Sequence, residues 1–313
     1  MSKELRFIDL FSGIGGFRIA AENASSKLGL DAKCVFSSEI DAAAVKTYRE
    51  NFRDIPAGDI SKVKPGDIPD FDLLLAGFPC QPFSIIGKMK GFGDTRGTLF
   101  FDIARILKAK APKAFVLENV KQLAGHRGGA TLNRIISVLN DLGYATDYKI
   151  LNAIDFGLPQ KRERIVIVGL KNGSLDFRWP DKTKSRLHLS DILEKNVGEK
   201  YYASEKIRQK RMSAHRPKDF PSIWHENKSG NVTSYPYSCA LRAGASYNYL
   251  LVNGERRFTP RELLRLQGFP DSFQIVVSDM QIRRQTGNAV PVNMIESVLT
   301  IFIPIVMKTD YNN

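Results

Sequence analysis

The stretch LRFIDLFSGIGGF, residues 5–17, runs from an apolar, β-rich segment through three glycines into a segment of helical character. The apolar run at 5–9 reads as a buried strand, and the residues from Phe17 to about Ser26 read as a helix. Glycine between a strand and a helix lets the chain turn sharply and lets its backbone approach a ligand that a Cβ would exclude. Gly13, Gly15 and Gly16 do not complete a dinucleotide fingerprint, because Arg18 stands where its third glycine would be, and no Gly-Lys-Ser/Thr follows to make a phosphate loop. The turn therefore suits a nucleoside cofactor without a pyrophosphate.

Outward from this turn, strand-like and helix-like segments alternate. Strands are expected at 32–38, 71–77, 113–119, 145–151 and 164–169, with a further one plausible just ahead of Asp59. Helices are expected at 41–52, 99–110 and near 131–142, the second stopped by Pro112. Strands separated by helices of this length predict an α/β fold, a doubly wound and mostly parallel sheet. After Gly169 the pattern degrades. Residues 172–255 are polar, basic and tyrosine-rich, with no clear helical period. A short helix closed by Gly268 is expected within 259–269, and an apolar-faced helix at 291–303 that packs back on the first domain. The expected organisation is a catalytic and cofactor-binding domain at 1–175, a smaller domain with a hinge at 176–282, and a returning segment at 283–313.

Composition narrows the class. The 313 residues carry 46 Lys and Arg against 33 Asp and Glu, a net charge of +13, with 43% hydrophobic and 25% charged residues. Those proportions argue against a disordered or fibrous chain. The longest strongly apolar run, 298–307, is interrupted by Pro304 and falls short of the ~20 residues a membrane span needs. With no signal-peptide pattern at the start, a cytoplasmic, membrane-free and monomeric protein is expected. Three scattered cysteines and four histidines show neither a disulfide framework nor metal-ligand spacing, so no metal is expected. The charge surplus suggests a polyanionic partner, and residues 171–218 concentrate it, with 13 Lys and Arg against six Asp and Glu.

Chemistry is expected at the carboxyl ends of the strands, where open α/β sheets bind their ligands. Glu39, at the end of the second strand, can accept from ribose hydroxyls, and Asp59 from an adenine amino group. Pro79-Cys80-Gln81-Pro82 follows the strand 71–77, and its prolines stiffen the backbone that aims the Cys80 thiol. A nearby cation would raise the thiolate fraction at Cys80, whereas Cys34 and Cys239 read as small packing residues. The glycine- and cation-bearing loop 83–98 suits a lid over an anionic substrate. Glu118 faces the same sheet edge as Cys80 and could keep a proton or hydrogen bond to a ring nitrogen. Arg162 and Arg164 fall on one side of an extended segment, where two guanidiniums could hold a phosphate and a base carbonyl.

In order along the chain, DLFSGIGGF, GFPCQPFS, ENV, QKRERIVIVG, RFTPRELLRLQGFP and RRQTGNAVP closely resemble the bacterial DNA (cytosine-5)-methyltransferases, over almost everything except 172–250. The resemblance implies the fold of S-adenosylmethionine-dependent methyltransferases, with S-adenosyl-L-methionine as methyl donor. It implies double-stranded DNA as substrate, with the target cytosine flipped out of the duplex. Cys80 would be the nucleophile on C6, with Glu118 at N3 and the exocyclic amine. Arg164 would hold O2, and Arg162 would support the site and its charge. Phe11, Gly13, Gly15, Gly16, Glu39, Ile40, Asp59, Ile60, Pro79, Leu99, Asn288 and Ala289 match cofactor-contacting positions. The variable middle resembles a target-recognition domain, with Arg242 and the stretch 235–249 as candidates for DNA contact. Ile40 departs from the large aromatic that several members place there, which predicts weaker stacking on adenine. The single-specificity layout suggests the modification half of a restriction–modification pair, an inference from the family alone. A tRNA methyltransferase is the alternative, but that branch carries a Cys-Phe-Thr element, and Cys239 stands in Ser-Cys-Ala. A catalytically silent DNA-binding homologue is opposed by Cys80, Glu118, Arg162 and Arg164 all being present.

Overall fold

The computed structural model describes residues 4–79, 99–171 and 173–309. In chain order its first elements are β1 (Glu4–Leu10), α1 (Gly16–Lys27), β2 (Asp31–Ser38), α2 (Ala42–Phe52), β3 (Leu73–Gly77), α3 (Leu99–Lys110) and β4 (Ala114–Val120). There follow α4 (Gln122–Gly125), α5 (Ala130–Asp141), β5 (Tyr144–Asn152), β6 (Gln160–Lys161) and β7 (Glu163–Lys171). The remainder comprises α6 (Leu189–Ile192), α7 (Glu205–Ala214), β8 (Ile223–Glu226), β9 (Val232–Tyr235), β10 (Ser238–Cys239), β11 (Leu250–Val252), α8 (Pro260–Leu266), α9 (Asp279–Asn288) and α10 (Val292–Lys308).

The chain divides into two compact units. The first gathers Met1–Leu151, Glu163–Pro180 and Ile295–Asn313, and the second gathers Asn152–Arg162 and Asp181–Met294. The expected returning segment thus joins the first unit, from Ile295 onward. The short excursion 152–162 goes with the second unit, which contiguous sequence ranges do not convey.

The first unit is built on a six-stranded sheet of order β2-β1-β3-β4-β7-β5. β1 pairs in parallel with β2 and β3, β3 pairs in parallel with β4, and β7 runs antiparallel to β4. This is the doubly wound, mostly parallel sheet that the alternation predicts. β3 and β4 are buried along nearly their whole lengths, which is why they read as unbroken apolar runs. One face packs Ile8, Leu10, Leu74, Phe115, Leu117 and Ile167 into a core with Phe100, Ile103 and Leu107 of α3 and Ile135 and Leu139 of α5. Asp41 starts α2 by accepting from the Ala43 and Ala44 amides at 3.0 and 2.9 Å, satisfying donors a helix leaves open. In α10, Val298, Leu299, Phe302, Ile303 and Val306 are fully buried, so its apolarity is that of a core helix.

The strand plausible ahead of Asp59 is absent. Residues 53–59 form a loop attached to β2 through the Ala57 amide and the Ser37 carbonyl, 2.8 Å apart. Pro56 has no amide to extend that pairing. Asp59 instead caps a single 3-10 turn at Ile60–Lys62.

In the second unit, β11, β8 and β9 make a three-stranded antiparallel sheet and β10 pairs with β6. Helix α8 opens on a capping box between Thr259 and Glu262, with Pro260 in its first turn. Gly268, at φ +81, closes that stretch as expected, since a Cβ there would lie 2.1 Å from the Asn293 side chain.

Candidate active site

The glycine turn is left-handed at three positions: Phe11 has φ 57, Gly13 φ 54 and Gly15 φ 84. A non-glycine residue in this region costs roughly 1–2 kcal/mol, so Phe11 marks a constraint beyond chain reversal. A Cβ on Gly15 would fall 2.2 Å from Phe52, whereas one on Gly13 would meet nothing within 4 Å. Gly15 is demanded by packing, and Gly13 borders open space.

Glu39, the residue after β2, meets that turn. Its Oε2 accepts from the Gly13 amide at 2.9 Å, and its Oε1 from the Ile40 and Asp41 amides, both at 2.7 Å. Three backbone donors fix the carboxylate and leave lone pairs for further donors. Ile40, beside it, is 74% exposed, an apolar surface that a planar ring can cover. Asp59 Oδ1 accepts from the Ser61 amide and hydroxyl at 3.0 and 2.7 Å, and these bonds hold its carboxyl below the usual range. Ile60 is buried in the core, so its backbone is what it can offer a ligand. Phe11 and Leu99 pack against that same core, and Pro79 is exposed.

Cys80, Gln81, Pro82 and the lid expected at 83–98 lie outside the described residues, so the placement begins with their anchor. Asn119 Nδ2 donates to the Phe78 carbonyl at 2.9 Å, and both residues are buried. This bond ties the end of β4 to the backbone two residues before the thiol. Gly77 pairs with Glu118 in the β3/β4 register.

The antiparallel β4/β7 register decides what Glu118 meets. Glu118 lies opposite Val166 and Val120 opposite Arg164. Side chains two apart on a strand share a face, so Glu118 and Arg164 are diagonal neighbours. Arg164 Nε reaches Glu118 Oε1 at 2.8 Å, with the side chains 13% and 9% exposed. Phe115 pins this register, since a Cβ on the opposed Gly169 would strike its ring at 2.2 Å.

Arg162 departs from the expected pairing with Arg164. The extended run is interrupted between β6 and β7, at Arg162 itself, and the two arginines have separate partners. Within the second unit, Arg162 is 1% exposed and donates to the carbonyls of Leu241 (2.8 Å), Gly287 (3.0 Å) and Ala289 (2.8 Å). It braces the end of α9, where Asn288 is exposed and Ala289 buried. Gln160 works alongside, accepting from the Leu241 amide at 3.0 Å and donating to the Leu266 carbonyl at 2.8 Å. Arg242 stacks its guanidinium 4.8 Å from the Tyr249 ring centroid.

Three groups carry more than their sequence context indicates. Asn119 is the anchor just described. Asp9 is fully buried, and burial pushes its carboxyl up to about 8. Arg18, the residue that breaks the dinucleotide pattern, pairs with Glu22 at 2.8 Å and Asp54 at 3.0 Å and stacks on Phe52. Burial raises the Cys34 thiol to about 12 and raises Cys239 as well, which suits neither to nucleophilic work.

A doubly wound sheet with a left-handed glycine turn, a carboxylate held against that turn by backbone amides and a buried acid–arginine pair at one strand end fits the S-adenosylmethionine-dependent methyltransferase fold. Residues 5–302 match the family of C-5 cytosine-specific DNA methylases. The chain belongs to that family and is a DNA (cytosine-5)-methyltransferase. It is 54% identical over 297 residues to the Type II methyltransferase M.NgoBI of Neisseria gonorrhoeae, covering 94% of this chain and 92% of that one. It is 54% identical over 299 residues to the Type II methyltransferase M.HaeII of Haemophilus aegyptius, covering 95% and 92%. Among solved structures, the S. pombe Dnmt2 methyltransferase superposes with a TM-score of 0.74 at 22% identity, over 97% of this chain and 99% of that one, a likeness of fold.

Proposed function

We propose that the protein methylates C5 of a flipped-out cytosine within a specific duplex DNA sequence, through a covalent bond between Cys80 Sγ and C6. The carrying observation is the Glu118–Arg164 pair, held at the strand end from which Asn119 anchors the approach to Cys80.

The turn's residues fit S-adenosylmethionine. Gly13 leaves room, Glu39 keeps acceptor capacity for ribose hydroxyls, Ile40 offers an apolar face for adenine, and Asp59 can accept from the adenine amino group. Phe11, Gly15, Gly16, Ile60, Pro79 and Leu99 shape the same site, with Asn288 and Ala289 assigned to it by family resemblance. The cofactor, when bound, supplies an electrophilic methyl group to the carbon that Cys80 activates.

This chain's residues do the rest. The Cys80 thiolate adds to C6, and the C5–C6 π pair becomes electron density on C5. Glu118 holds N3 and the exocyclic amine, and Arg164, oriented by Glu118, holds O2. Once C5 carries the methyl group, loss of its proton restores the ring double bond and expels Cys80 as thiolate. Arg162 supports the site by bracing the backbone of 241 and 287–289. Extrusion of the base costs a few kcal/mol, which Lys and Arg contacts to phosphates in a salt-dependent complex offset. The two relatives' designation as Type II methyltransferases supports a role in protecting host DNA from a cognate endonuclease.

The test is incubation with donor labelled in its methyl group and either duplex DNA or tRNA. Label is expected on cytosine C5 of duplex DNA alone, and Cys80→Ser is expected to bind DNA without transferring label. Label on tRNA alone would replace the substrate, and label on neither would indicate a silent homologue.

A further inference from the structure

The turn that carries Asp59 and Ile60 is short and has little of its own to hold it. Two internal bonds close it, from the Lys62 amide to the Asp59 carbonyl at 3.0 Å and from the Val63 amide to the Ile60 carbonyl at 3.2 Å. Hydrogen-bond geometry in a 3-10 turn is poorer than in an α-helix, so these bonds alone fix it weakly. A side chain from another element grips it. Arg105, in the middle of α3, donates from Nη1 to the Val63 carbonyl at 2.8 Å and from Nη2 to the Ile60 carbonyl at 3.0 Å. Both bonds are charge-assisted, and the planar fork sets the spacing of the two carbonyls at once.

The fork is itself held from behind. Phe100, Ile103, Ala104, Ile106 and Leu107 of α3 are buried, so the helix is a fixed support. Asp102, one turn earlier, accepts from Arg105 Nη2 at 3.2 Å. On the far side, the two gripped carbonyls bracket Ser61, whose amide and hydroxyl both donate to Asp59 Oδ1. Lys62 Nζ stands 4.0 Å from Asp59 Oδ2, beyond hydrogen-bond reach, which leaves that oxygen able to accept from a ligand. A connected run of hydrogen bonds thus leads from a core helix, through Arg105 and Ser61, to the Asp59 carboxylate.

We propose that Arg105 is a positioning residue for donor recognition: by spacing the Ile60 and Val63 carbonyls it sets the Ser61 donors, and through them aims Asp59 so that the site prefers adenine to hypoxanthine. The inference rests on Asp59 accepting from the adenine amino group of S-adenosylmethionine. Arg105 itself touches no part of the donor in this account. Adenine presents a donor at its exocyclic amine and an acceptor at N1, whereas hypoxanthine presents an exocyclic oxygen and a donor at N1. A carboxylate fixed opposite the exocyclic group gains a hydrogen bond from adenine and faces an oxygen on hypoxanthine. A carboxylate free to swing loses part of that distinction, because it can turn from the oxygen to the N1 proton.

The test is binding calorimetry of the whole protein with S-adenosylhomocysteine and S-inosylhomocysteine, which differ only in the purine. The native protein is expected to bind the adenosyl compound about tenfold or more tighter. Arg105→Met keeps an apolar stem and removes the fork, and is expected to cut that preference by about fivefold or more. Arg105→Lys is expected to be intermediate, since an ammonium lacks the fork. A preference left at its native value in Arg105→Met would overturn the proposal, whether neither affinity falls or both fall together, as they would if Arg105 merely fastened the loop. Should Arg105→Met not fold, Arg105→Lys and Ser61→Ala decide, the second removing one of the two grips on Asp59 with Arg105 in place. A native preference in both would overturn the proposal, and a reduced one in both would support it. Failure of the native protein to bind either compound would instead overturn the cofactor reading. Equal native binding of both would overturn the assignment of Asp59 to adenine, and this proposal with it.

Discussion

Arg164 Nε lies 2.8 Å from Glu118 Oε1, across a strand pair whose register places the two side chains diagonally on one face. The contact joins an acid and a cation that are 46 residues apart in sequence, and neither is more than 13% exposed. Breaking a buried pair of this kind leaves one charge uncompensated. Glu118→Gln is expected to lower the single-turnover methylation rate by about 10²-fold or more with DNA affinity retained. Arg164→Ala is expected to do the same and also to lower stability, with Arg164→Lys intermediate because an ammonium lacks the planar fork. A Glu118→Gln enzyme with native rates would remove the acid from the mechanism.

The two turn glycines separate packing from binding. Gly15→Ala places a methyl 2.2 Å from Phe52 at φ 84, and the melting temperature is expected to fall by several degrees. Gly13→Ala meets nothing within 4 Å, so its larger effect is expected on donor affinity, read by calorimetry. The reverse ordering of the two effects would contradict this division.

Much of this was legible from residue order. Strands β3 and β4 announce themselves because burial on both faces leaves apolar residues alone acceptable until their carboxyl ends. The end of helix α3 at Lys110 is legible from Pro112 and the apolar period before it. Helix α7 was not legible, because Arg211 is its one buried residue and no apolar stripe forms. The strand imagined ahead of Asp59 failed on Pro56 and on an Ile55 that is 62% exposed, where a sheet position would have buried it. Within the site, residue types were readable but pairings were not. Arg162 and Arg164 look equivalent in QKRER, and only the break between β6 and β7 sends one to three carbonyls and the other to Glu118. Asp9 reads as an ordinary strand-end acid because sequence does not report how deeply a carboxyl is buried.

The brace at Arg162 has a consequence for stability. Arg162→Ala strips donors from the buried carbonyls of Leu241, Gly287 and Ala289, at a cost of about 3 kcal/mol or more. Denaturant unfolding is expected to shift accordingly, and amide exchange to accelerate around 241–249 and 287–289. Native stability with lost activity would point to direct contact with substrate instead.

Asp9 also sets a pH dependence in the cofactor-free protein. Its carboxyl is raised from 3.8 to about 8 by burial, so the folded state binds the proton more tightly than the unfolded chain. The resulting stability is fully present below about 4 and is lost as pH rises through 8. The unfolding free energy is expected to decline across that window in the native protein and to be flatter in Asp9→Asn. A slope of the opposite sign that Asp9→Asn removes would contradict the assignment.

The most direct test of the covalent route uses duplex DNA in which the target cytosine carries fluorine in place of the C5 hydrogen, so that the final elimination has no proton to remove. With S-adenosylmethionine present, a denaturation-resistant adduct between protein and DNA is expected, and none with Cys80→Ser. Active methylation of ordinary duplex, with no adduct ever formed on the fluorinated one, would contradict it.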